Sequence, residues 1–299
     1  MPSIQLRDGR RLAYETWGDP EGTPVVFNHG AGDSRLARHP NEALTRDAGV
    51  HLITVDRPGH GRSTPKPGRT LHDWTADVEQ LAGALRLERF ISAGWSGGAP
   101  HALAVAHDLG ERVTGVALAA PLGPMNASAA ANVHTNLRAL WRLRRVPPLL
   151  RLAADAAGIK ARHRTTAFAD EWLETGPALD RELFREPSLK AMLQAQVREG
   201  FRQGGIGLYG DLRALADWHF EPEGVTQRTE IIHGTADHIL FPRMALELAA
   251  RLPRSSLHLL EGEGHFCLFR HWPSFLAAAN RANEGREHHP RSRIRRGRT

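Results

Sequence analysis

Phe90-Ile91-Ser92-Ala93-Gly94-Trp95-Ser96-Gly97-Gly98-Ala99-Pro100 decides how the rest of this 299-residue chain reads. Phe90 to Gly94 is an apolar run of strand character. Ala99 to Leu109 reads as a helix, with Pro100 in its first turn, Ala102, Val105 and Ala106 as a small buried face, and Gly110 as its stop. Between them lies a G-x-S-x-G pattern, Gly94-Trp95-Ser96-Gly97-Gly98, at a strand-to-helix turn too sharp for larger flanking side chains. Such a turn lifts the serine hydroxyl above the sheet edge. It also sets the next backbone N–H and the positive helix end beside it, where a developing oxyanion is stabilised. Serine alone is a weak nucleophile, so chemistry here requires a base and a group that orients it. The rival reading is plain close packing of a glycine-rich strand end against a helix.

Outward from this turn, Val25 to Asn28, His51 to Asp56 and Thr114 to Ala119 are further short apolar runs, each about one helical segment apart, as buried parallel strands require. Leu71, Trp74, Val78, Leu81 and Leu85 share one helix face behind a Thr70/Asp73 capping box. Ser3 to Leu6 and Arg11 to Thr16 flank Asp8-Gly9, which suits a tight antiparallel hairpin. After Pro121 the alternation stops, and residues 125–209 read as helix. Leu189, Met192, Leu193, Val197 and Phe201 form one stripe there, and Leu137, Leu140 and Trp141 begin another before Pro147-Pro148. A strand at Thr229 to His233, a helix from Pro242 to Leu252, a strand at Leu257 to Leu260 and a helix near Pro273 to Asn280 complete the chain. The expected fold class is α/β, a mostly parallel doubly wound sheet with a helical insertion. In such sheets sites collect at the carboxyl ends of strands. The expected organisation is core over 1–122, insertion over 123–208, core again over 209–285 and a basic tail over 286–299.

The composition is that of an ordinary globular protein, 41% hydrophobic, with a formal net charge of +6 of which +5 falls in residues 281–299. The high charge therefore describes a tail, expected to be disordered, more than a binding face, and no nucleic-acid partner is expected. One cysteine, Cys267, excludes an intrachain disulfide and a cysteine metal cluster and fits a reducing cytoplasm. No basic-then-apolar leader and no membrane-length run is present, so a cytoplasmic location is expected.

Three further stretches fall at strand ends: Phe27-Asn28-His29-Gly30-Ala31-Gly32, His233-Gly234-Thr235-Ala236-Asp237 and Gly262-Glu263-Gly264-His265-Phe266. With Asp56-Arg57-Pro58-Gly59-His60-Gly61-Arg62-Ser63, similar to a D-x-P-G-x-G-x-S loop, they resemble the α/β-hydrolase superfamily over roughly residues 3–122 and 209–280. Carried over residue by residue, the resemblance implies Ser96 as nucleophile, His265 as general base, Asp237 as the carboxylate orienting it, and the N–H groups of Ala31 and Gly97 as the oxyanion hole. Asp33, Asp56 and Asp211 are the rival acids. It also implies that His29 holds the oxyanion loop and that Asp56 and Arg57 anchor their own turn. Cys267 reads as packing. No metal and no cofactor are expected.

Ser96 stands where similar epoxide- and halide-cleaving enzymes carry aspartate, which counts against those activities. H-G-A-G and G-W-S-G-G also depart from the motifs of similar proline aminopeptidases, and H-G-A-G departs from the H-G-G-G of lipases. In the family the helical insertion is a cap, here with Trp141, Phe168, Trp172, Phe184, Phe201 and Trp218 as candidates to line or support a pocket and Trp95 beside the serine. The basic group Arg142, Arg144, Arg145 and Arg151 reads equally as an anion contact or an exposed helix face. The expected function is hydrolysis of a small to medium hydrophobic carboxylic ester. Cleavage of a C–C bond, lactone or thioester, or peracid formation, is the alternative with the same residues; a non-catalytic small-molecule receptor is the alternative of another class.

Overall fold

The computed structural model describes residues 2–125 and 129–284; the basic tail expected over 286–299 lies outside them. Among the described residues eight strands form one sheet: β1 (Ser3–Gln5), β2 (Arg11–Gly18), β3 (Thr23–Asn28), β4 (Val50–Val55), β5 (Phe90–Trp95), β6 (Val113–Ala119), β7 (Thr229–Gly234) and β8 (Ser255–Leu260). Their spatial order is β1-β2-β4-β3-β5-β6-β7-β8. The hairpin at Asp8-Gly9 makes β1 and β2 antiparallel, β2 pairs antiparallel with β4, and from β4 onward every pairing is parallel. Gly9 takes a φ of 82°, the left-handed geometry that this turn needs and glycine supplies without strain.

The central strands are buried on both sides, and alternate residues serve opposite cores. Val25, Phe27, Leu52, Ala117 and Ala119 face one apolar cluster, while Val26, Ile53, Val116 and Leu118 face the other. The second cluster is closed by α2 (Leu71–Ala84) and α3 (Ala99–Leu109). Thr70 opens α2 with the reciprocal capping box read from the sequence, its hydroxyl accepting from the Asp73 N–H while the Asp73 carboxylate accepts from the Thr70 N–H.

Chain order reverses about β3, since β4 lies on one side of it and β5 on the other. This is the switch point at which open α/β sheets hold ligands, outside the carboxyl ends of the strands. Asn28 is in register with Gly94 there, so the segment beginning at His29 and the turn containing Ser96 leave the sheet side by side.

Among the described residues between β6 and β7, the regular elements are helical. A 3₁₀ turn at Ala129–Asn132 precedes α4 (Thr135–Leu143), α5 (Pro147–His163), α6 (Thr165–Thr175), α7 (Ala178–Leu183), α8 (Pro187–Gly200) and α9 (Ile206–Ala214). Pro147 and Pro148 end nothing themselves. They start α5, where a missing N–H costs no intrahelical bond. The helical stretch continues past residue 208, because α9 spans it. The stripe Leu189, Met192, Leu193, Val197 and Phe201 is buried as read. The insertion meets the core closely at the end of α8, where a Cβ on Gly200 would lie 2.4 Å from the Gly32 carbonyl oxygen. After β7 come α10 (Pro242–Arg251), β8, α11 (Cys267–Arg270) and α12 (Trp272–Glu284).

Candidate active site

Ser96 occupies the turn between β5 and α3 with φ at 55°, in the left-handed region that disfavours a side chain. Its neighbours show why the local sequence is glycine. A Cβ on Gly98 would lie 2.0 Å from the Asn28 carbonyl oxygen, and one on Gly94 would lie 2.6 Å from that of Gly98. The close approach of the β3 end to this turn is therefore built on missing side chains.

Asp237 follows β7, and His265 lies in the loop after β8. The structure brings both to Ser96. His265 Nδ1 donates to Asp237 Oδ2 at 2.8 Å, and the Ser96 hydroxyl lies 3.0 Å from His265 Nε2. A carboxylate only accepts, so the imidazole proton sits on Nδ1 and Nε2 is free to take the serine proton. Asp237 is itself held: its Oδ1 accepts from the N–H groups of Ile239 at 2.8 Å and Leu240 at 3.0 Å. Burial of His265 disfavours its charged form, but the Asp237 carboxylate and its hydrogen bond, then Asp180 and Asp33, outweigh this and hold its pKa above the ordinary histidine value.

The rival acids go elsewhere. Asp56 accepts from the N–H groups of Arg35 at 2.8 Å and Arg62 at 3.0 Å and pairs with the Arg35 guanidinium. Asp211, on α9, is fully buried between Arg57, Arg69 and His60. Burial alone would raise its pKa; those neighbours hold it well below the usual carboxylate range. Asp33 reaches the cavity instead, and burial pushes its carboxyl up to about 7.

The loop after β3 is tied from below. Arg57 Nη2 donates to the Gly30 carbonyl at 2.9 Å, and the Arg57 N–H donates to His29 Nε2 at 3.3 Å. The proton of His29 is thereby placed on Nδ1, which donates to Gly30 O at 2.8 Å. Ala31 lies next to Gly97: a Cβ on Gly97 would be 3.1 Å from the Ala31 nitrogen. Among the described residues the Ala31 N–H donates to no other group.

A cavity of about 210 Å³ opens above Ser96. Trp95, Trp141, Trp172, Phe168 and Phe201 all line it, and among the described residues its polar side chains besides the tryptophans are Asp33, Ser96 and His265. Trp95 serves two purposes, because its indole N–H also donates to the His265 carbonyl at 3.2 Å. Two of the sequence candidates lie off the cavity. Phe184 packs behind it against Phe266 at 5.1 Å, and Trp218 stacks on Phe220 at 5.2 Å against the other core. Arg144 covers the Trp141 ring at 3.6 Å, and Arg151 pairs with Asp155 at 2.7 Å, so half of the basic group has partners within the insertion. Cys267 is fully buried, and burial pushes its thiol well up.

Two side chains near the site carry no sequence signal for it. His101, one turn into α3, approaches the Gly97 carbonyl through Nδ1 at 2.9 Å. Asp180, on α7, is fully buried beside the His265 loop, where a Cβ on Gly264 would lie 2.0 Å from its Oδ2. Only the folding of the insertion onto the core puts Asp180 there.

A family model described as the alpha/beta hydrolase fold matches residues 23–271. The chain is 33% identical over 134 residues to a non-heme chloroperoxidase of Streptomyces lividans, covering 44% of this chain and 49% of that one. It is 36% identical over 114 residues to a proline iminopeptidase of Xylella fastidiosa, covering 37% and 36%. The matched segments thus span half or less of these two relatives. Among solved structures, a hydrolase from Pseudomonas aeruginosa PA01 superposes with a TM-score of 0.72 at 22% identity, covering 94% of this chain and 97% of that one. No helix among the described residues is long and apolar enough to cross a membrane. With the sheet order, the turn at Ser96 and a family match over most of its length, this chain belongs to the alpha/beta hydrolase fold family.

Proposed function

We propose that the protein is a serine hydrolase that cleaves a small to medium hydrophobic carboxylic ester through an acyl-enzyme on Ser96. The observation that carries this reading is the hydrogen-bonded chain that links Ser96 Oγ, His265 and Asp237, at 3.0 and 2.8 Å, beside an apolar cavity. Ser96 Oγ attacks the ester carbonyl as His265 Nε2 takes its proton, and Asp237 stabilises the imidazolium that forms. The N–H groups of Ala31 and Gly97 receive the negative oxygen. His265 returns the proton to the departing alcohol. Water then attacks the acyl-enzyme by the same route in reverse. The helical insertion acts as a cap that excludes bulk water and supplies the apolar wall.

Labelling of the purified protein with a fluorophosphonate, followed by mass mapping, tests the nucleophile. Attachment at Ser96, abolished in Ser96→Ala together with turnover of a short p-nitrophenyl ester, supports the reading. Full esterase activity in Ser96→Ala overturns it. A folded protein that neither labels nor turns over any acyl substrate favours a small-molecule receptor on the same scaffold.

A second reading uses the same acyl-enzyme. Hydrogen peroxide in place of water would attack the acyl carbon, release Ser96 and give a peracid. The chloroperoxidase name of one relative favours including peroxide in the substrate panel. The departures from the proline aminopeptidase motifs at His29-Gly30-Ala31-Gly32 and Gly94-Trp95-Ser96-Gly97-Gly98 disfavour a peptide reading.

A further inference from the structure

Away from the Ser96 cavity, four polar side chains converge on an exposed corner of the core. Asp108, near the end of α3, lies 2.7 Å through Oδ1 from His107 Nδ1. Its Oδ2 is 3.1 Å from Nδ1 of His72, in the first turn of α2, and 3.0 Å from Nε2 of His219, in the segment between α9 and β7. One ligand atom from each of His72, Asp108 and His219 lies within 4.8 Å of the other two.

We propose that His72, Asp108 and His219 form a binding site for a divalent transition-metal ion of the Zn²⁺ class, which clamps the segment returning from the insertion onto α2 and α3. Two imidazole nitrogens and one carboxylate oxygen are a donor set for Zn²⁺, Ni²⁺ or Cu²⁺, whereas Mg²⁺ and Ca²⁺ take oxygen ligands. A tetrahedral ion with bonds of about 2.0–2.1 Å holds its ligand atoms roughly 3.3 Å apart. The nitrogen-to-oxygen separations at Asp108 Oδ2 are already close to this, so an ion can enter with small side-chain adjustments.

The surroundings also fit. His107 meets the other carboxylate oxygen, Oδ1, to which His219 Nε2 also lies at 3.0 Å, and His107 is itself stacked on Phe220 at 5.1 Å, so Asp108 is oriented from behind as ligating carboxylates are. The His72 side chain is 72% exposed, which leaves an entry path and a position for water as a further ligand. The three ligands come from segments far apart in sequence, so binding would cross-link the native fold and stabilise it by mass action. Most of the length of α3, roughly 16 Å for its eleven residues, separates this corner from the turn at Ser96. The site is therefore independent of the hydrolase reading.

The test is a Zn²⁺ titration of tag-free, full-length protein, stripped by a chelator, in competition with a chromophoric chelator. The expected result is one tightly bound equivalent that Mg²⁺ does not displace, with a rise in Tm on adding Zn²⁺. The His72→Gln/His219→Gln double variant and Asp108→Asn should each bind Zn²⁺ about tenfold or more weakly and lose the Tm response, with fluorophosphonate labelling at Ser96 unchanged. A competitor that keeps all the metal would overturn the proposal and leave three imidazoles sharing one carboxylate by hydrogen bonds. Equal binding by the double variant and wild type would also overturn it, assigning the metal to others of the seventeen histidines.

Discussion

Arg57 and Asp211 face each other at 2.7 Å with neither side chain reaching solvent. The pair joins the loop after β4 to α9, and the same guanidinium holds the Gly30 carbonyl beside Ala31. Replacing Asp211 by alanine leaves Arg57 and Arg69 buried without their counter-charge. The expected cost is about 3–5 kcal/mol, read as a lower denaturant midpoint. An unchanged midpoint would show that water or rearrangement compensates both arginines.

Asp237→Asn keeps an oxygen for the Ile239 and Leu240 N–H groups, so the loop should hold its shape. A neutral amide cannot stabilise the imidazolium and permits the wrong tautomer of His265. Ester turnover should fall by about four orders of magnitude in kcat with little change in Tm. A loss of tenfold or less would assign the orienting role to another carboxylate.

Hydrolysis through Ser96 requires neutral His265, and the negative groups around it favour the charged form. The rising limb of kcat/KM against pH should therefore lie above 6.5, the ordinary histidine value. Removing a negative neighbour lowers that pKa, so Asp180→Asn and Asp33→Asn should each move the limb to lower pH. A limb that stays in place in both variants would refute the coupling.

Asp33 gives a separate prediction for stability. Its carboxyl titrates at about 7 in the fold against an ordinary value of 3.8, so the unfolded chain releases the proton first. The fold therefore loses stability through this group as pH rises from 3.8 to about 7, and the penalty is constant above. Asp33→Asn removes the penalty. Its Tm should exceed that of wild type more at pH 8 than at pH 5, and an equal difference at both would sink the assignment.

Much of the fold is legible along the chain because its causes are local. The two-residue alternation of Val25, Val26 and Phe27 between cores, the capping box at Thr70 and Asp73, and the Asp8-Gly9 hairpin each depend on residues a few positions apart. So does the turn at Ser96, where only glycine at 94 and 98 lets backbone meet backbone. The sequence by itself thus determined the strand order in time, the helical insertion and the strand ends at which Ser96, Asp237 and His265 stand. Tertiary structure alone decided that Asp33 faces the cavity while Asp211 is buried against Arg57 and Arg69, and that Trp172 lines the wall while Trp218 packs elsewhere. It also brought Asp180 to the His265 loop and His219 to Asp108. The physical reason is distance along the chain: charge pairing and burial act between atoms a few ångströms apart, and residues separated by tens or hundreds of positions become such neighbours only when the helices pack on the sheet.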